Sequence, residues 1–185
     1  MSSSPVAIAA VETSSIAQGT VVGDAMVKTA DVELLQACPI SPGKYWVLVG
    51  GDVASVRAAL QRGLEAAADT LLDSLMIPQL HALVLPALAG TVAPEEHDAL
   101  GVIETLTAAS AIEAADAAAK TAAIALRDIR LANGLGGKGL VFLTGEISDV
   151  QAAVEAGRVA ARAKKLLARA VVIPRLHPQM KARLF

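Results

Sequence analysis

The sequence is short of the residues that usually mark a disulfide scaffold, a metal site or a nucleic-acid surface. Its 185 residues include one cysteine, and only 2% of them are aromatic. One cysteine excludes an internal disulfide and favours a reducing compartment. The net charge of −2 argues against nucleic-acid binding, which normally needs a strongly basic face. With so few aromatic anchors, any assembly must rely on small side chains and polar edge contacts.

A long uninterrupted hydrophobic run is also missing. The most apolar segment, 71–92, is interrupted by Asp73, His81 and two prolines, which argues against a membrane span. The first five residues carry no basic side chain, so the apolar run 6–11 does not predict a signal peptide. We therefore expect a soluble, cytoplasmic protein.

What the sequence does contain is one pattern written twice. Three short stretches recur 92 positions later, namely Glu12-Thr13 at Glu104-Thr105, Asp24-Ala25 at Asp116-Ala117, and Lys28-Thr29-Ala30 at Lys120-Thr121-Ala122. The offset grows to 94 at Gly43-Lys44 and Gly137-Lys138, and to 96 at Ile77-Pro78 and Ile173-Pro174. Loop insertions in a duplicated domain produce such a drift. We predict two domains, 1–93 and 99–185, joined by a polar linker at 94–98.

Each copy predicts six elements in the order β-α-β-β-α-β. The strands are predicted at 6–11, 33–37, 45–49 and 75–78, and again at 100–103, 125–132, 140–144 and 166–173. Three helices are predicted to begin at N-cap side chains: one at Ser14 or Ser15 that runs to about Ala30, one after Asp52 and one after Ser148. A fourth, alanine-rich helix is predicted over 107–123. Residues 38–43 are expected to be irregular, because they contain two prolines and a glycine. The order suits an α+β fold with an antiparallel sheet and both helices on one face, a ferredoxin-like layout.

The glycine loop 134–139 matches the dinucleotide fingerprint G-x-G-x-x-G letter for letter. That motif works where the loop opens a helix whose amides hold a pyrophosphate, whereas a predicted strand follows here. The phosphate-loop pattern fails as well, since Gly139 stands where Ser or Thr must bind magnesium. The loop is either a plain hairpin turn or a turn that lines something.

The remaining candidates for chemistry have structural explanations. Cys38 is open to three interpretations, as a nucleophile, a metal ligand or a small buried hydrophobe. The cysteine and three histidines show no metal-ligand spacing. His81 and His177 are repeat equivalents near a proline, which favours a structural role in that turn, and His97 fits a solvated linker residue. No catalytic constellation emerges, so an enzyme is not expected.

Two glutamates and two lysines also recur. Glu12 and Glu104 each follow an apolar strand, and their presence in both copies is most simply explained if they accept hydrogen bonds from loop amides. Lys28 and Lys120 are either solvated lysines on a helix face or parts of an interaction surface.

Several of these motifs together resemble the bacterial microcompartment (BMC) shell domain. They are the stretch 24–30, the loops 42–44 and 136–138, Gly51-Asp52-Val53 with Gly145-Glu146-Ile147, and the turn 173–177. The resemblance covers about residues 6–178, and two copies in one chain resemble the tandem-domain, trimer-forming class in its single-layer, non-permuted form. It implies a structural protein of the microcompartment shell: a homotrimeric, pseudohexameric tile that meets hexameric shell proteins at its edges and passes small metabolites through a central pore.

The resemblance also implies a role for particular residues. Lys28 and Lys120 would lie at the tile edge together with Arg175, and Gln79 stands in the first copy where the family has arginine. The pore would be lined by two hairpin loops, Ser41-Pro42-Gly43 and Leu135-Gly136-Gly137.

Some members of this class bind an iron–sulfur cluster through one cysteine per chain just before the Pro-Gly-Lys loop. Ser41 takes that place here, and Cys38 lies three residues earlier. A cluster needs thiolates that converge on one point. We therefore predict a polar pore without a cofactor. The alternative function is a ferredoxin-like trimeric regulator or small-molecule sensor that binds its effector in clefts between subunits.

Overall fold

A computed structural model describes residues 6–92 and 99–184. The predicted linker 94–98, and His97 with it, lies outside the described residues. The chain divides into two compact units. The first contains Met1–Leu80, Thr107–Ala109 and Leu131–Gly137, and the second contains His81–Leu106, Ser110–Arg130 and Lys138–Phe185.

The first sequence repeat folds as one four-stranded sheet with two main helices. Its elements are β1 (Ala7–Thr13), α1 (Ile16–Thr29), β2 (Glu33–Ile40), β3 (Lys44–Gly51), α2 (Val53–Ala67), β4 (Leu71–Ile77) and a short α3 (Val84–Leu88). The strand order is β2-β3-β1-β4, and each neighbouring pair is antiparallel. Alternate residues of β1, including Ala9 and Val11, pack with Val22 and Met26 of α1 and with α2. Both helices therefore cover the same face of the sheet, as predicted.

The second repeat has the same plan. Its elements are β5 (Ala99–Thr105), α4 (Ala108–Thr121), β6 (Ala125–Leu131), β7 (Gly139–Gly145), α5 (Ile147–Ala163), β8 (Leu167–Ile173) and a short α6 (Pro178–Leu184). The strand order is β6-β7-β5-β8. The predicted α+β fold with two β-α-β-β-α-β repeats is confirmed, whereas α3 and α6 were not predicted. No helix in the described part of the chain is long and apolar enough to cross a membrane.

Two of the predicted helix caps are confirmed by hydrogen bonds. The Ser15 hydroxyl accepts a hydrogen bond from the Gln18 N–H at 3.2 Å. The Asp52 carboxylate accepts from the N–H groups of Ala54 and Ser55 at 2.9 and 3.0 Å. The Ser55 hydroxyl and these amides lower the pKa of Asp52. Each cap satisfies amides that have no partner inside the helix.

The prediction that residues 38–43 are irregular is wrong for their first half. Strand β2 continues to Ile40, with Cys38 opposite Trp46 and Pro39 opposite Tyr45. Strand β2 is the outermost strand of its sheet. A proline is tolerated in an edge strand, because its backbone nitrogen, which has no N–H to donate, can face the side of the strand that has no partner.

The predicted cap at Ser148 is also wrong. Helix α5 begins at Ile147, directly after β7, so Glu146 is the N-cap residue and makes no side-chain cap bond. Strand β4 likewise begins at Leu71, four residues before its predicted start. Strand β4 starts at Leu71 because Leu71 pairs with Thr13 at the end of β1, a long-range contact that the local sequence does not contain.

Candidate functional site

The two hairpin loops predicted to line a pore contact each other within the first unit. The Ser41 N–H donates a hydrogen bond to Asn133 Oδ1 at 3.1 Å, and Lys44 Nζ lies 3.4 Å from the Gly137 carbonyl oxygen. A Cβ on Gly137 would lie 2.9 Å from Cδ of Pro42. Gly137 also has φ of +86°, which side chains rarely adopt. Glycine is therefore required there for two reasons.

The loop residues offer a small, uncharged surface. Pro42, Gly43 and Gly136 are exposed, Ser41 and Leu135 are half-buried, and Gly137 is buried. The polar groups that these six residues present are one hydroxyl and backbone N–H and C=O groups. Such a surface has hydrogen-bonding capacity without a formal charge.

The lysine that follows each loop forms an ion pair with a glutamate from the neighbouring strand, and the sequence analysis predicted neither pair. Glu12 Oε1 lies 2.8 Å from Lys44 Nζ, and Glu104 Oε1 lies 2.7 Å from Lys138 Nζ. The strand register explains both pairs, since the end of β1 lies beside the start of β3 and the end of β5 beside the start of β7. The signal was present in the sequence, because both partners recur in the second copy. The pairs offset the positive charge next to each loop.

Glu12 makes further hydrogen bonds. Its Oε2 accepts from the Ala108 N–H at 2.9 Å, at the start of α4, and the Glu12 side chain is completely buried. The expectation that Glu12 accepts from backbone amides is confirmed, although the amides belong to a helix and not to a loop. A carboxylate is favoured at a helix N-terminus by the exposed N–H groups and the helix dipole.

The predicted edge lysines lie in the last turns of α1 and α4, each paired with the aspartate one turn earlier. Lys28 Nζ lies 2.7 Å from Asp24 Oδ2, and Lys120 Nζ lies 2.5 Å from Asp116 Oδ2. The lysine side chains are 73% and 41% exposed. Arg175 and Gln79, the other two predicted edge residues, are exposed as well. All four side chains are accessible, and their role at an edge stays a prediction.

The two repeat-equivalent histidines organise equivalent turns, as predicted. His81 Nδ1 accepts a hydrogen bond from the Leu83 N–H, and His177 Nδ1 accepts one from the Gln179 N–H, both at 3.3 Å. The first bond lies just before the short helix α3, and the second lies in the first turn of α6. The geometry therefore supports a structural role for both histidines.

The environment of Cys38 does not fit an iron–sulfur cluster. The thiol is half-buried in the middle of a strand pairing, and burial raises its pKa. A raised pKa disfavours the thiolate that a cluster needs, and Ser41 at the loop supplies an oxygen where a sulfur is needed. Among residues 6–92 and 99–184, no group of three or more His, Cys, Asp or Glu side chains is placed to hold a metal ion.

Several known proteins are similar to this chain in sequence and in fold. The family model described as the BMC domain matches residues 7–80 and 99–176. The bacterial microcompartment shell protein PduT of Citrobacter freundii is 42% identical over 174 residues, which cover 94% of this chain and 95% of that protein. A solved microcompartment protein from Desulfitobacterium hafniense DCB has a TM-score of 0.86 and 44% identity, and the match covers 95% of this chain and 98% of that one.

A more distant solved structure shares the fold alone. It is the fused permuted hexameric shell protein MSM0275 from the RMM microcompartment, with a TM-score of 0.62 and 24% identity. The match covers 84% of this chain and 81% of that chain.

Proposed function

Because the chain belongs to the BMC-domain family and is a structural shell protein of a bacterial microcompartment, we propose that three copies of it form one pseudohexameric tile. Two BMC domains per chain, proposed at 1–93 and 99–185 with the linker 94–98 between them, would give the trimer six equivalent positions. One observation carries the proposal. The hairpin loops of both repeats lie side by side, bonded from Ser41 to Asn133, as a shared axis requires.

The central pore is the proposed route for small metabolites. Ser41, Pro42, Gly43, Leu135, Gly136 and Gly137 would line it. The nearest lysines, Lys44 and Lys138, are each held by a glutamate. The pore would then select by size and hydrogen bonding more than by charge, and it would hold no cofactor.

The tile edge is the proposed contact with hexameric and other shell proteins. Lys28, Lys120, Arg175 and Gln79 would form it. Exposure supports this assignment, since both lysines extend from the final turn of a helix into solvent. The protein's work would be passive: its tiles close the shell, and its pores let metabolites through.

Replacing both Lys28 and Lys120 with alanine is expected to abolish flat sheets while the trimer survives. The reason is that each lysine would pack against its counterpart in the neighbouring tile, outside the contacts that close the trimer. Electron microscopy of purified protein measures the sheets, and mass in solution measures the trimer. The matched control is Arg62→Ala, which removes an exposed helix cation with a similar ion pair to Glu65 and should leave the sheets unchanged.

Two outcomes would decide against this proposal. Unchanged sheets from the double lysine variant would contradict the edge assignment. Trimers that never form arrays, even for the unmodified chain, would favour the alternative function, a trimeric regulator or small-molecule sensor.

An anaerobic preparation is expected to be colourless. Neither Ser41 nor the half-buried Cys38 supplies a thiolate at the proposed pore. An absorption spectrum recorded before exposure to air tests this directly. A brown iron–sulfur absorbance that disappears in Cys38→Ser would overturn the prediction.

A further inference from the structure

The loop between β6 and β7 contains the chain's only asparagine, Asn133, and the residue after it is a glycine. Asn-Gly is the pair in which an asparagine side chain most readily loses ammonia, because glycine has no Cβ to hinder attack of its backbone nitrogen on the amide carbon. The reaction also requires a fold that leaves the amide and that nitrogen available. The surroundings of Asn133 meet this requirement.

The backbone nitrogen of Gly134 is accessible. Both Asn133 and Gly134 are exposed, and a Cβ on Gly134 would meet no atom within 4 Å. The turn is closed by the Leu135 N–H, which donates to the Ala132 carbonyl oxygen at 3.0 Å. In the part of the chain that the structure describes, the Gly134 N–H donates no hydrogen bond. The nitrogen can therefore lose its proton to solvent and attack the neighbouring amide.

The Ser41 N–H activates that amide. It donates to Asn133 Oδ1 at 3.1 Å, and this bond also fixes which amide atom faces Ser41, since only the oxygen can accept. Attack on the amide carbon moves negative charge onto the same oxygen. A backbone N–H aimed at a developing oxyanion stabilises it, so the contact lowers the barrier to attack.

We propose that Asn133-Gly134 is a site of spontaneous deamidation, with water as the only co-reactant. The deprotonated Gly134 nitrogen forms a bond to Asn133 Cγ. The bond from Cγ to the amide nitrogen breaks, and that nitrogen takes a proton and leaves as ammonia. One water molecule then opens the resulting succinimide ring at either carbonyl. Opening gives aspartate, or isoaspartate, in which the main chain runs through the former side chain.

The two products change the contact between the hairpin loops in different ways. Aspartate keeps an oxygen that accepts from the Ser41 N–H and adds one negative charge, so the bond becomes charge-assisted. Isoaspartate lengthens the main chain by one carbon and shortens the side chain, which moves the acceptor away from Ser41. In the proposed trimer, either product puts a new carboxylate beside the pore loops. This consequence rests on the proposed function, whereas the modification itself does not.

Gln18-Gly19 is an internal control, because it is the chain's one Gln-Gly pair. Here the Gly19 N–H donates to the Ser15 carbonyl oxygen at 2.9 Å, and Gln18 Nε2 donates to the Ala66 carbonyl oxygen at 2.6 Å. Both reacting groups are therefore held by other partners, and a glutamine must also close a larger ring. We expect no deamidation at Gln18.

Incubation of the purified, folded chain at mildly alkaline pH tests the proposal, and mass spectrometry of tryptic peptides measures the result. Trypsin releases 131–138 as one peptide, since Arg130 precedes it and Lys138 ends it. We expect this peptide to gain about one dalton and to separate into two chromatographic forms, faster as the pH rises, because the attacking nitrogen must lose its proton. An unincubated sample corrects for deamidation during digestion. The folded chain should react at least as fast as a synthetic peptide of the same sequence.

The matched variant is Asn133→Gln, which keeps an amide at this position but must close the larger ring, so its peptide 131–138 should keep its mass. An unmodified chain whose peptide 131–138 keeps its mass while the synthetic peptide reacts would overturn the proposal, because the fold would then protect Asn133. Equal mass gain in Asn133→Gln would overturn the succinimide route. A chain that is monomeric in solution and still deamidates contradicts the proposed trimer and supports this site.

Discussion

Glu12→Ala is expected to lower the free energy of unfolding by about 3 kcal/mol. The Glu12 carboxylate is completely buried and bonded to both Lys44 Nζ and the Ala108 N–H. Its loss leaves Lys44, whose side chain is only 17% exposed, without its counter-ion, and leaves the Ala108 amide without its acceptor. Breaking one side of a buried ion pair costs about 3–5 kcal/mol, and we take the lower end because Lys44 keeps some access to water.

Urea unfolding at a fixed protein concentration measures this loss, since an oligomer's stability depends on concentration. Glu12→Gln is a useful intermediate, because the amide oxygen can still accept from Ala108 while the charge is lost. The matched control is Glu155→Ala, which removes an exposed carboxylate paired to Arg158 along α5 and should unfold close to the unmodified chain. If Glu12→Ala unfolds at the same urea concentration as Glu155→Ala, the Glu12 carboxylate does not hold Lys44 and the start of α4 together.

The fold was predictable because local and repeated signals agree. Ser15 and Asp52 are good N-caps before apolar helices, and both act as caps in the structure. Because the sequence is duplicated, each element could also be predicted from two copies of its pattern. The errors arose where context overrides local preference. Pro39 belongs to a strand because that strand lies at a sheet edge, a property that no short window of sequence contains.

The candidate site was predictable only in part, since its contacts join distant residues. Glu12 and Ala108 are separated by 96 positions, and no periodicity relates them. Asn133, which bonds Ser41, lies in the loop between β6 and β7, which is longer than the equivalent loop between β2 and β3, so the first repeat offers no clear counterpart. The duplication therefore gave no signal for the hydrogen bond between Asn133 and Ser41.

The repeats also hide differences between equivalent residues. Asp24 and Asp116 lie in nearly identical local sequences, but their side chains are 58% and 8% exposed. Local sequence cannot distinguish them, because the difference arises from the residues that cover each helix.

Gly157→Ala is expected to lower the free energy of unfolding by about 2 kcal/mol, whereas Gly63→Ala should change it by less than about 1 kcal/mol. The two glycines are repeat equivalents in the middle of α5 and α2. A Cβ on Gly157 would lie 2.4 Å from Ile103 Cδ1 and 2.8 Å from the Ala114 carbonyl oxygen. That oxygen belongs to the backbone of α4, so relief of the clash requires the two helices to move apart.

The Gly63 site differs in what its new methyl group would meet. The nearest atoms are Cγ and Sδ of Met26, both at 2.8 Å, and a methionine side chain can change rotamer to make room. Each alanine also gains about 1 kcal/mol of helix propensity, which offsets the smaller clash at Gly63 and only part of the larger clash at Gly157. Urea unfolding of both variants side by side cancels that common gain. Equal losses at the two positions, or a larger loss at Gly63, would contradict the claim that the α4 backbone limits how closely α5 can pack.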